Sequence, residues 1–188
     1  MKNAIVAENL QNSLIIRFNR PAIRNPLSIF ILEELHRILD ETLAENIIFT
    51  GNTEVFASGA DLREIAAVTR ETAAEFALRG QNLMNKIARK NSFAAINGFC
   101  FGGALDLALA CRKRIASPNA LFSHPGANLG IMTGWGGTQR LTRLVGEAFA
   151  LEMFLTAKMI SAAEALKIGL IDEISDKPLD KISEILAR

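Results

Sequence analysis

The chain has 188 residues, 49% of them hydrophobic and 22% charged, which excludes a disordered, collagen-like or disulfide-stapled polypeptide. Its 21 basic and 20 acidic residues leave a net charge of +1, too small for a field that gathers nucleic acid or anionic lipid. A prior of roughly 150 residues per domain gives one domain with a sizeable core. Cys100 and Cys111 lie in apolar stretches without a CxxC or Cys/His ligand pattern, so they read as reduced core residues and no metal site is expected. Ala4, Ile5 and Val6 run straight into Glu8, Asn9, Gln11 and Asn12, which breaks any signal-peptide core, and no apolar run reaches membrane-spanning length. A soluble cytoplasmic protein that binds neither membrane nor nucleic acid is expected.

In chain order, Leu14 to Phe18 is a β-branched run ended by Asn19-Arg20-Pro21, and reads as a strand entering a loop. Asn25-Pro26 supplies a plausible N-cap and first helical position. Ile31, Leu35, Ile38, Leu39 and Leu43 then recur at helical spacing, with His36 on the polar side as a surface or structural residue. Ile47 to Gly51 reads as a buried strand, followed by a loop through Phe56 to Asp61, and residues 71–90 read as helical. Phe93 to Gly98 predicts a strand, and Gly102-Gly103 opens a helix carrying Ala104 to Ala110. Arg114 to Ala116 and Ala120 to Phe122 predict two more strands. A glycine-rich turn, Gly134-Trp135-Gly136-Gly137, precedes another helix, and Pro178 to Arg188 reads as a short amphipathic helix. Alternating strands and helices argue for an α/β fold with a largely buried sheet. No internal repeat or linker marks a second domain.

Two glycine-containing turns, Ser58-Gly59-Ala60-Asp61 and Gly98-Phe99-Cys100-Phe101-Gly102-Gly103, put permissive backbone at the ends of buried strands, where free N–H groups can converge on a ligand. Taken singly, each is as well explained as a simple turn. Neither is a P-loop or a dinucleotide fingerprint.

Together with Asn19-Arg20-Pro21, Phe56 to Leu62, Ile96 to Asp106, Gly134 to Leu141 and the Ala150-to-Ile174 stretch, these turns resemble the crotonase superfamily, the enoyl-CoA hydratase/isomerase family. The resemblance covers roughly residues 14–175. It implies an α/β crotonase-like ββα spiral, residues 1–188 forming one domain with a short helical C-terminal tail. It further implies an acyl-CoA thioester substrate, with coenzyme A as part of that substrate and no permanently bound cofactor. A homo-oligomer, a trimer or a dimer of trimers, is also implied. Family members usually continue into C-terminal helices that cover the site, whereas only Pro178 to Arg188 remain here.

The chemistry the family performs moves negative charge onto the thioester oxygen, so it needs preorganised donors there. By resemblance these are the N–H groups of Ala60 and Gly103, the second at a helix start whose dipole favours that charge. Removing one such donor typically costs about 3–4 kcal/mol in the transition state. The family pattern places a catalytic glutamate where this chain has Asp106, one carbon shorter. Its apolar neighbours would raise its pKa toward the range useful for proton transfer, although an acid in a first turn also serves simply to satisfy free N–H groups. The second glutamate, after the proline in hydratases, is Gly126. His124 stands two residues before it and could replace the lost acid/base, or merely bond a carbonyl at a strand end. By resemblance Ser58, Ala60, Asp61, Leu62 and Arg63 contact the CoA portion, with Asp61 also a helix N-cap. Arg24 either approaches the CoA phosphates or is solvated. Trp135 either walls the acyl pocket or fills core.

The function expected is thus an acyl-CoA enzyme of hydratase/isomerase type that stabilises an enolate. Decarboxylase or hydrolase chemistry, and a catalytically silent acyl-CoA binding or assembly subunit, are the alternatives suggested by Gly126 and the short tail. A Clp-type peptidase, which shares the fold, lacks its serine beside Gly102-Gly103, where Phe101 and Ala104 stand.

Overall fold

The computed structural model describes residues 4–187, so Arg188, the last residue of the predicted terminal helix, lies outside the described residues. The strands are β1 (Ile5–Leu10), β2 (Ser13–Phe18), β3 (Asn46–Thr50), β4 (Val55–Ala57), β5 (Asn91–Ile96), β6 (Phe99–Phe101), β7 (Lys113–Ala116), β8 (Leu121–Ser123), β9 (Ile160–Ser161) and β10 (Glu173–Ile174). The helices are α1 (Ile29–Glu41), α2 (Leu62–Ala66), α3 (Ala73–Ala88), α4 (Gly103–Ala110), α5 (Gly137–Val145), α6 (Glu147–Thr156), α7 (Ala162–Lys167) and α8 (Pro178–Leu186). Short 3₁₀ turns cover Pro21–Ile23 and Pro125–Leu129.

Two sheets organise the chain. The larger runs β1-β2-β3-β5-β7-β10 and is parallel except for the β1–β2 hairpin; the smaller runs β4-β6-β8-β9, with β4, β6 and β8 parallel. Each of the long strands β3, β5 and β7 is followed within a few residues by a short strand of the second sheet and then by a helix or 3₁₀ turn. The sequence shows no repeat, yet the architecture repeats a ββα unit three times. Strands of three residues impose too few side-chain demands to leave a matching pattern in sequence.

Side-chain alternation along the large sheet assigns its two faces. Leu14, Ile16, Ile47, Phe49, Ala94, Ile96 and Ala116 face the main core with α1, α3 and α4, while Ile15, Ile48, Phe93, Ala95 and Ile115 face the other way and are covered by Ile182 of α8. The terminal helix is amphipathic as expected, and its apolar stripe closes the back of this sheet.

The start of α1 differs from the sequence expectation. The helix begins at Ile29, with Ser28 as the N-cap accepting from Ile31 N–H. Glu64 of α2 accepts from the otherwise free N–H of Ile29 at 2.8 Å. Asn25 does not cap a helix. It is buried in the left-handed region at φ 50°, accepts from Arg20 N–H, and donates to the carbonyls of Val55 and Phe56 at 3.2 and 3.1 Å. Two residues on, Leu27 N–H donates to Gly59 O at 2.8 Å, so this segment clamps β4 and the turn after it. The stretch from Ile5 to Leu10 is also a strand, with no counterpart among the elements expected from sequence; among the described residues it pairs with β2 alone, and it exposes most of its residues.

Candidate active site

Because β4, β6 and β8 run parallel, their C-terminal ends emerge along one edge of the small sheet. That edge gathers three bends: Ser58-Gly59-Ala60 after β4, Gly102-Gly103 after β6, and His124-Pro125-Gly126 after β8. All eight residues line one cavity of about 360 Å³, together with Leu62, Phe76, Thr133, Trp135 and Phe154. The first two bends touch. A side chain on Gly59 would meet Phe101 O at 2.7 Å and Gly103 N at 2.9 Å, and Gly59 and Gly102 hold φ of +91° and +52°. Close approach calls for glycine at 59, and at both positions the backbone conformation is one that other residues resist. The Leu27 bond to Gly59 O does not use the Ala60 N–H, and Gly103, as the first residue of α4, has no carbonyl one turn earlier to accept from it.

Trp135 serves as both wall and core, resolving the alternatives left by the sequence. It is 3% exposed, lines the cavity, and stacks between Gly80 of α3 and Gly103, with Phe76 at 5.9 Å between ring centroids.

Asp106 sits behind the cavity wall. Its side chain is fully buried and is not among the residues lining the cavity. The Thr133 hydroxyl donates to Oδ2, and Oδ1 lies 3.5 Å from His124 Nε2. Among the described residues, Asp106 Oδ1 and His124 Nε2 have no hydrogen-bond partner, so a single proton between them would satisfy both. Burial pushes the Asp106 carboxyl up to about 7 against the opposing Thr133 bond and Arg140 charge, and burial pushes the His124 imidazole down to about 4. His124 is 3% exposed, lines the cavity, and packs on Phe154 at 5.0 Å between centroids. His36 is a partly buried residue of α1 outside this cavity.

Gly126 is more than a missing carboxylate. A side chain built there would meet the Ile131 carbonyl at 2.6 Å, and Ile131 N–H donates to Gly126 O at 3.0 Å. The space next to this backbone position is taken by the following loop.

Of the residues expected to hold the CoA portion, Ser58, Ala60 and Leu62 line the cavity, while Asp61, Arg63 and Arg24 do not. Asp61 is 7% exposed and caps α2 through Arg63 N–H; the Arg63 guanidinium bonds it and holds its carboxyl below the usual range. Arg24 is exposed and its guanidinium lies over the Phe99 ring at 5.8 Å. Both cysteines are buried free thiols, with Cys111 pushed up to about 12 by burial. Among the described residues no cluster has the makings of a metal site, and no helix is long and apolar enough to cross a membrane.

Sequence reading missed Thr133, Phe76 and Phe154. Thr133 directly precedes the glycine-rich turn, but a lone threonine carries no spacing signal; Phe76 and Phe154 sit on helices whose apolar pattern reads as ordinary core.

A family model described as enoyl-CoA hydratase/isomerase matches residues 8–184. The chain is 36% identical over 179 residues to a short-chain-enoyl-CoA hydratase of Clostridium acetobutylicum, covering 92% of this chain and 69% of that protein. It is 35% identical over 193 residues to a crotonyl-CoA hydratase of Syntrophomonas wolfei, covering 98% and 74%. A crystal structure of an enoyl-CoA hydratase from Bacillus anthracis superposes with a TM-score of 0.88 at 34% identity, covering 98% of this chain and 75% of that one.

Proposed function

We propose, from the premise that the chain belongs to the enoyl-CoA hydratase/isomerase family, that its cavity binds an α,β-unsaturated acyl-CoA and adds water across the double bond. The observation that carries this reading is that Ala60 and Gly103, on bends from different strands, line one cavity with their backbones in contact through Gly59. With the thioester oxygen between their N–H groups, charge developing there meets two fixed donors and the positive end of α4, an arrangement worth several kcal/mol in acyl chemistry. The bends hold these donors before substrate arrives, so little reorganisation is needed. Phe76, Trp135 and Phe154 give the acyl chain an apolar wall. Proton handling falls to the side of the cavity where Thr133 and His124 stand in front of Asp106.

A second reading is favoured by Gly126. With the Ile131 carbonyl against this position, the site has one buried carboxyl in place of a facing pair, which suits moving a single proton between carbons, as in double-bond isomerisation. The same family reading makes the protein a cytoplasmic homo-oligomer of trimer type with coenzyme A as part of its substrate. Exposed apolar residues on and after α6, Leu151, Leu155 and Met159, support the oligomer.

The test is a parallel assay of crotonyl-CoA hydration, 3-enoyl-CoA isomerisation, and calorimetric binding of saturated butyryl-CoA. Hydration with binding supports the first reading, and isomerisation alone selects the second. Binding without any turnover turns the protein into a thioester-binding subunit, and no binding removes the thioester site altogether.

A further inference from the structure

We infer that the hydroxyl of Thr133 is the group through which the buried carboxyl of Asp106 reaches the substrate, so that Thr133 is a catalytic residue and Asp106 a positioning residue behind it. The inference rests on the thioester reading above and goes beyond it in naming the group that meets the reacting atoms.

Asp106 is enclosed on every side that matters. Gly137 packs so closely on Oδ1 that a side chain there would come within 1.9 Å of it, His124 Nε2 stands 3.5 Å from the same oxygen, and Oδ2 holds the Thr133 hydroxyl. The carboxyl has no exposed surface and does not line the cavity, whereas Thr133 does. In the family pattern a longer acid occupies this position; here the span that the missing methylene would have covered is filled by a threonine side chain from the loop ahead of α5.

A hydroxyl has one hydrogen and two acceptor sites. With its hydrogen committed to Asp106, Thr133 Oγ1 keeps acceptor capacity for a water on the cavity side. In hydration the water oxygen bonds the β carbon while its proton passes to Thr133 Oγ1. The hydrogen already on Oγ1 passes to Asp106 Oδ2, leaving the threonine unchanged and the carboxyl neutral. Collapse of the enolate at the α carbon then takes the proton back along the same path, restoring the carboxylate. No oxidant or external base is consumed. In between, the proton held on Oδ2 faces Thr133 Oγ1, ready to return, and the value near 7 for Asp106 suits an acid that both takes and returns a proton at neutral pH. In isomerisation the same path carries the proton from one carbon to the other.

The experiment compares wild type, Thr133→Val, which keeps the shape and removes the hydroxyl, and Thr133→Ser, which keeps the hydroxyl. Hydration of crotonyl-CoA and isomerisation of 3-hexenoyl-CoA are followed for kcat and KM, with butyryl-CoA affinity measured by calorimetry. The expected result is a fall in kcat on the order of 100-fold in Thr133→Val, with butyryl-CoA affinity within about threefold of wild type, and recovery of most of the loss in Thr133→Ser. A Thr133→Val enzyme whose kcat stays within about threefold of wild type overturns the inference while leaving the thioester reading intact. Wild type that fails to bind butyryl-CoA overturns the thioester reading, and this inference with it. Should Thr133→Val not fold, Thr133→Ala set against Thr133→Ser applies the same criteria.

Discussion

Replacing Asp106 by asparagine makes the protein more stable at alkaline pH and less active everywhere. The carboxyl rises from an ordinary value of 3.8 to about 7 because burial disfavours its charge. A carboxyl raised in the folded state contributes stability that is fully present below the unfolded value and is lost as pH climbs through the folded one. The loss accumulates at about 1.4 kcal/mol per pH unit between about pH 4 and 7, to a total of up to about 4 kcal/mol. An asparagine never ionises, and it fits the contacts: its carbonyl can accept from Thr133 and its amide can donate to His124 Nε2. The stability difference between Asp106→Asn and wild type therefore starts near zero at about pH 4, grows steadily, and levels off above about pH 7. Urea unfolding of both proteins at about pH 5, 6, 7 and 8.5, with linear extrapolation, measures it. A difference that stays flat from about pH 5 to 8.5 would refute the raised carboxyl, and with it the proton-storing role assigned to this group.

Other perturbations follow from the same contacts. Gly103→Ala puts a methyl 2.3 Å from the Trp135 ring, so it should lower stability by about 1–3 kcal/mol and cut kcat by about 100-fold or more as the amide moves; thermal unfolding and kinetics read both. Gly126→Glu, which restores the family carboxylate in sequence, should not raise hydration, because the Ile131 carbonyl stands 2.6 Å from its Cβ; a variant that folds well and gains activity would contradict this. Asn25→Ala leaves Arg20 N–H and two carbonyls short of partners and puts alanine in a left-handed conformation, an expected loss of about 2–4 kcal/mol in urea unfolding.

Much of the fold is legible because strands β2, β3 and β5 carry long apolar runs and α1 and α3 carry helical periodicity. The hairpin strand β1 is not, since an edge strand with solvent on most of its residues needs no apolar pattern. In the small sheet only β8 shows in the sequence, as the Ala120-to-Phe122 run; β4, β6 and β9, of two or three residues, are too short for any periodicity to register. Asn25 is ambiguous in sequence for a different reason: asparagine suits a helix cap and a left-handed bend equally, and only the carbonyls of β4 decide between them. At the site, the glycine bends announce themselves because close backbone approach leaves only one residue type. The reach of Asp106 does not, since whether a carboxyl enters a cavity depends on its distance from the wall, a length that appears in no spacing of letters.

The single indole of the chain is wedged between two glycines from different helices, each with no room for even a methyl group: one added at Gly80 would come within 2.1 Å of the ring, and one added at Gly103 within 2.3 Å. Size at these three positions is therefore a shared quantity. A drift of Gly80 to alanine can be tolerated only by a smaller residue at 135, and that exchange would in turn loosen the slot holding Gly103. An innocuous-looking change in the middle of α3, well away from any reacting atom, would thus be inherited as a change in how firmly the thioester oxygen is gripped.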